Sequence, residues 1–208
     1  MRSDEELLEA WRAGEETAGH ELYGRYFPLV YRFFSNKVGD EMEDLVQQTF
    51  MACVSHRDRL RDGTSFRAFV LVVARNQLFK HLRRRYRAGQ PIDLAETSLA
   101  DLGASPSVLV ARRDEHRLVL AALRRITLDF QDIIELHYFE QLSGPELATV
   151  LDIPEGTVRS RLRRALEALR AELARLAQSP DQVESTISSL SQWAAEIRSL
   201  AQRGMDVR

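Results

Sequence analysis

Four arginines, Arg159, Arg161, Arg163 and Arg164, fall within the stretch "DIPEGTVRSRLRRALEALR", close to the start of an evident helix. Cations there oppose the helix dipole, which favours acids at that end. Glu155 alone meets that preference. The missing negative charge points to a polyanion. A guanidinium presents five donors in a fork that suits phosphates and the major-groove edge of guanine. Gly156 and Ser160 share the face with Arg163, flanked by Arg159 and Arg164, and Gly156 leaves room for close approach to a backbone. The bland alternative is a solvated face in a helical bundle.

A second group lies in "RNQLFKHLRRRYR". Asn76, Lys80, Arg83 and Arg87 recur at i, i+4, i+7 and i+11, which makes one stripe on a helix. Phe69 and Val73 lie toward the upper end of the same side, where apolar groups suit an unstacked base. Catalysis has no comparable support. There is no Gly-rich phosphate loop, no H-E-x-x-H and no G-x-S-x-G. The histidines, His20, His56, His81, His116 and His137, are scattered, and Cys53 stands alone, so neither a metal site, a cofactor site nor a disulfide framework is expected.

The elements that must position these groups read as helices almost throughout. No strand-length stretch alternates convincingly between apolar and polar residues. "LSGPELATVLDIPEGTVRSRLRRAL" reads as a helix-turn-helix. Ser143 and Glu146 make a capping box, and Leu147 and Leu151 face inward. The turn runs through Asp152, a residue that tolerates left-handed backbone, and Pro154 opens the second helix. Val158, Leu162, Ala165, Leu166 and Leu169 give that helix one apolar face. Earlier, Asp40 and Glu43 are placed to cap a helix that buries Met42, Leu45, Val46, Thr49 and Cys53. Its opposite face carries Asp44, Gln47, Gln48 and Met51. Gly63 breaks the chain, and Thr64 or Ser65 caps the next helix.

The expectation is therefore an all-α chain: an N-terminal helical domain over 1–90, a flexible linker over 91–107, a helix-turn-helix domain over 108–177 and an amphipathic helical extension over 178–208. The linker is assigned on Gly, Pro, Ser and acids with weak periodicity. The extension repeats Val183, Ile187, Leu190, Ala194, Ile197 and Ala201 at alternating four- and three-residue steps, with Trp193 and Leu200 beside them. Net charge is −2 over 208 residues, but acids crowd the first part and arginines two later places. Apolar runs such as "FVLVVA" fall far short of the roughly 20 residues that a membrane span needs. The acidic start lacks a signal peptide's pattern, so a cytoplasmic protein is expected.

Four stretches in order, "DEELLEAWRAGEETAGHELYGRYFPLVYRFF", "DEMEDLVQQTF", "SFRAFVLVVARNQLFKHLRR" and "LSGPELATVLDIPEGTVRSRLRRALEAL", resemble the signatures of the extracytoplasmic-function (ECF) group of bacterial sigma factors. The resemblance implies a subunit, not an enzyme, that directs core RNA polymerase to promoters and helps to open the strands. It gives the face of Asp40, Glu43, Asp44, Gln47, Gln48 and Met51 to a polymerase coiled coil. It gives the loop Arg61, Asp62, Gly63, Thr64 and Ser65, with the following helix, to a flipped base of the −10 element, and Asn76, Lys80 and Arg83 to the strand-opening surface. It gives the second helix of the helix-turn-helix, from Thr157 on, to the −35 duplex. There Arg159, Ser160 and Arg163 would face bases, with Arg161 and Arg164 on phosphates.

Two matters stay open at this level. A stand-alone helix-turn-helix regulator of DNA would share the C-terminal motif, but leaves the Asp44–Gln47–Gln48 face and the Asn76–Lys80–Arg83 stripe without a task. The extension either packs back on its own chain, docks across both domains, or receives another protein such as an anti-sigma factor.

Overall fold

The computed structural model describes residues 1–59, 65–86, 92–103 and 114–205. Ten α-helices are described: α1 (Asp4–Arg12), α2 (Glu16–Ser35), α3 (Met42–His56), α4 (Phe66–Tyr86), α5 (Asp114–Leu123), α6 (Leu128–Ile134), α7 (Gly144–Leu151), α8 (Glu155–Leu176), α9 (Pro180–Ser188) and α10 (Leu190–Met205). A π-helical turn, Glu135–Phe139, continues α6. Among the described residues the only β pairing is an isolated bridge between Ser98 and Thr127.

Helices α1 to α4 pack on one another, as do α5 to α8. The first group closes over Leu7, Leu22, Val30, Phe34, Leu71 and Leu78, and the second over Leu123, Leu128, Ile133, Ile134, Leu147 and Leu169, all fully or almost fully buried. Ser3 and Glu6 cap α1 reciprocally, and Ser143 and Glu146 do the same for α7. Asp40 does not cap α3. The helix starts at Met42 with Glu41 at the cap position and no side-chain cap bond, because a backbone turn from Gly39 already serves the Met42 amide. Glu41 is instead drawn to Arg85. Ser65 does cap α4, accepting from the Ala68 amide at 3.4 Å; Thr64 lies outside the described residues.

Where it is described, the expected linker is anchored. The Ala100 amide donates to the Arg124 carbonyl (2.9 Å), and the Leu128 and Asp129 amides donate to the Thr97 and Leu94 carbonyls (2.9 and 3.1 Å). Leu99 is fully buried. A polar composition hid these few apolar anchors.

The two helical groups also meet each other. Helix α7 lies against α4. A row of acids on α6 and the π-turn faces cations of α2 and α4. Arg32 forms two bonds to Glu140 (3.0 and 2.7 Å), and Arg75 binds Asp132 (2.8 Å) and Asp129 (3.2 Å). Lys37 is fully buried. Its ammonium contacts Glu135, donates to the Phe33 carbonyl at 3.0 Å, lies 3.9 Å from Asp132 and sits 4.1 Å from the centre of the Phe33 ring. Asn36 donates to Glu135 (3.0 Å), and Arg124 reaches back to the Asn36 carbonyl. Burial pushes the Asp132 carboxyl above its ordinary range, against the pull of Lys37 and Arg75.

The extension is two helices rather than one. The break falls at Ser189, which leaves helical geometry (φ −94°, ψ 6°) between α9 and α10, and just before it the Ser188 hydroxyl turns back to the Ser185 carbonyl, the local competition that disfavours serine inside helices. α9 packs on α8, whereas α10 packs on α2 and on the π-turn. Val183, Leu190 and Ala194 are buried, with Ile187 and Trp193 half-buried. The side chains of Ile197, Leu200 and Ala201 lie outside the described residues.

Candidate nucleic-acid and polymerase interfaces

The helix-turn-helix is set by its turn. Asp152 adopts left-handed backbone (φ 53°, ψ 52°) and ends α7, and its amide bonds back to the Thr149 carbonyl. Pro154 stands at the cap position of α8, one residue before the helix, where its missing N–H costs nothing. At the other end of α7, burial raises the Glu146 carboxyl, but the Ser143 amide and hydroxyl, Arg67 and Ser65 outweigh burial and hold it below the ordinary carboxylate range. Val158, Ala165, Leu169 and Leu173 then fix α8 by its apolar side.

The opposite side of α8 is open. Gly156, Arg159, Ser160, Arg163 and Arg164 are exposed and Thr157 is half-buried. A Cβ built on Gly156 would meet nothing within 4 Å. Among the described residues Arg163 pairs only with Glu167, one turn on, at 3.0 Å, and both side chains are more than half exposed. Such pairs contribute about 0–0.5 kcal/mol, so the guanidinium is readily given up to another acceptor. Arg161 differs from the sequence expectation. It binds Asp129 at 3.2 Å with its side chain 21% exposed, and so turns toward α6 rather than outward. The sequence could not show this, because Arg161 carries the same side chain as its exposed neighbours.

On α4, Asn76, Lys80 and Arg83 are exposed and on one side, as their spacing predicts. Phe69 and Val73 are half-buried. Ser65 is exposed, but its hydroxyl approaches the Glu146 carboxylate of α7 (3.4 Å), and Arg67 donates to the Glu140 carbonyl. Arg61, Asp62, Gly63 and Thr64 lie outside the described residues.

On α3, Asp40 just before the helix and Glu43, Asp44, Gln47, Gln48 and Met51 along it are all exposed. Sequence reasoning missed what lies beside them. Tyr23, Phe27 and Tyr31 of α2 join Phe50, Met51 and Val54 of α3 around a groove of about 610 Å³ with Glu43 and Gln47 on its rim. Tyr23, Met51 and Val54 are 45%, 62% and 50% exposed, a contiguous apolar patch that needs cover. The aromatic richness of α2 was legible as core only; that part of it turns outward depends on how α2 and α3 cross.

Among the described residues no group of His, Cys, Asp and Glu could hold a metal ion, and no helix is long and apolar enough to cross a membrane. Cys53 is buried, and burial pushes its thiol up to about 12, so at neutral pH it is protonated and no nucleophile.

Two family models match the chain: sigma-70 region 2 over residues 22–88 and sigma-70 region 4 over residues 116–169. The ECF RNA polymerase sigma factor SigL of Mycobacterium tuberculosis is 31% identical over 168 residues, 79% of this chain and 93% of that protein. The ECF RNA polymerase sigma-E factor of Salmonella typhimurium is 27% identical over 176 residues, 80% of this chain and 92% of that protein. Two solved structures share the fold. The sigma factor RpoE in complex with the anti-sigma factor NepR from Bartonella quintana aligns with a TM-score of 0.58 at 23% identity, over 74% of this chain and 96% of that one. CnrH in complex with the cytosolic domain of CnrY aligns with a TM-score of 0.60 at 22% identity, over 84% and 99%.

Proposed function

This chain belongs to the extracytoplasmic-function group of RNA polymerase sigma factors, and from that premise we propose how its surfaces divide the work of initiation in the cytoplasm. The face of Asp40, Glu43, Asp44, Gln47, Gln48 and Met51, with the adjoining aromatic groove, binds core polymerase. The acids and amides supply orientation and the apolar groove supplies most of the buried area. Arg159, Ser160 and Arg163 of α8 read base edges of the −35 duplex in the major groove, and Arg164 and Thr157 hold its backbone. Asn76, Lys80 and Arg83, with Ser65 and the preceding loop residues Arg61, Asp62, Gly63 and Thr64, hold the separated strand of the −10 element.

The observation that carries this division is that two cationic faces and one acidic, apolar-grooved face are all exposed and borne by different helices. Stacking contributes about 1–3 kcal/mol per captured base, too little for a chain of this size to melt a duplex unaided, so strand opening is shared with the polymerase. Run-off transcription with core polymerase tests the assignment. Arg163→Ala should impair promoter choice while leaving polymerase binding intact; Asp44→Ala should weaken polymerase binding. Unchanged initiation by both variants would refute the assignment.

A further inference from the structure

Helix α10 touches both halves of the molecule. It packs on α2 of the first group and on the π-turn of the second. Arg198 donates to the Phe139 carbonyl at 2.6 Å, Glu196 lies 3.2 Å from the buried His116 ring nitrogen, and Trp193 meets the edge of that ring. Leu190 and Ala194 of α10 itself are buried. Where α2, α5, the π-turn and α10 converge, a cavity of only about 30 Å³ remains, bounded by Arg32, Asn36, Leu120, Glu135, Phe139 and Arg198. The extension thus lies over the same seam that the ion pairs Arg32–Glu140 and Lys37–Glu135 close from within.

The closed seam has a cost for promoter binding. It sets α7 against α4, with Glu146 at Ser65 and the Glu140 carbonyl on Arg67. These contacts stand at the start of α4, where the strand-capturing surface begins, so α7 and a single-stranded base compete for that ground.

We propose that α10 is a built-in clasp: it holds the two DNA-binding units shut over their seam, and so restrains the chain from polymerase and promoter until the clasp is displaced. The inference rests on the sigma-factor assignment for its output but not for closure itself. A chain that is competent in only a fraction f of its molecules binds with its affinity reduced by f. Loosening the clasp therefore raises apparent affinity without adding a contact.

The test uses the full chain and two variants confined to α10, Ala194→Glu and Arg198→Ala, with helix content checked by circular dichroism. Small-angle scattering of the free protein reads closure directly. The parent should have a radius of gyration of about 17 Å, that of a compact chain of this length, and Ala194→Glu should expand it by several ångström, Arg198→Ala by less. Titration against fluorescently labelled core polymerase reads the restraint, with Ala194→Glu binding several-fold more tightly and giving more run-off product at limiting concentration. Unchanged scattering in both variants would overturn the clasp. Expansion with unchanged or weaker polymerase binding would overturn the restraint and make the extension a structural brace. Loss of polymerase binding by parent and variants alike would instead overturn the proposed polymerase surface, a result that scattering separates from failure of closure.

Discussion

Single residues decide several local features here. Gly19 sits inside α2, where glycine is ordinarily a liability of about 1 kcal/mol against alanine. A Cβ at this position would lie 2.5 Å from the Trp11 ring nitrogen. Trp11 is itself held edge-on to Phe66 and under the Arg57 guanidinium. Gly19→Ala should therefore lower stability by about 1–2 kcal/mol in urea unfolding despite its better helix propensity. Asp152 is tolerated in left-handed backbone, but a β-branched side chain is not. Asp152→Val should cost about 1–3 kcal/mol, whereas Asp152→Gly should stay within about 1 kcal/mol of the parent. His81 is buried, and burial, aided by Arg84, holds its pKa below the ordinary 6.5. The folded protein then binds fewer protons than the unfolded chain, so stability falls as pH drops below about 6.5 toward the folded value. His81→Leu should flatten that acid-side slope in thermal melts recorded between pH 7 and pH 5.

At the scale of elements, what the sequence disclosed depended on range. The helix-turn-helix was legible nearly residue by residue, because caps, the Asp152 turn and a 3.6-residue apolar face are local signals. The exposed faces of α3 and α4 were legible for the same reason. The seam was not. Arg32, Lys37, Arg75, Glu135 and Glu140 carry no local signal of pairing, because their partners are remote in sequence. Nor was the break between α9 and α10, which rests on two serines inside an unbroken apolar rhythm. The seam makes its own prediction. Truncating one partner of a buried pair costs about 3–5 kcal/mol, because the other charge is stranded. Arg32→Glu and Glu140→Arg should each open the chain, and combining them should recover part of the loss. A double-mutant cycle on thermal stability and on the radius of gyration measures the coupling.

For the molecule as a whole, the net charge of −2 conceals a division into acidic and cationic faces that suits a subunit caught between a protein and DNA. It also supplies the charges that close the molecule on itself. Asp129 shows the economy: it holds Arg75 of α4 and Arg161 of α8 at once, so one carboxylate links the cationic helix of the first group to that of the second.

The anchored stretch 92–103 has a consequence for distance. From Tyr86 at the end of α4 to Ile92, where the anchored stretch begins, there are six peptide steps, a chain length of at most about 20 Å. Any arrangement on a promoter that carries Tyr86 farther than this from the anchored position of Ile92 must first release Leu94 from Asp129, and then Thr97 from Leu128 and Ala100 from Arg124. The chain thus carries a yardstick with a stop on it, and tolerance for spacer length becomes a matter of how readily that stop lets go.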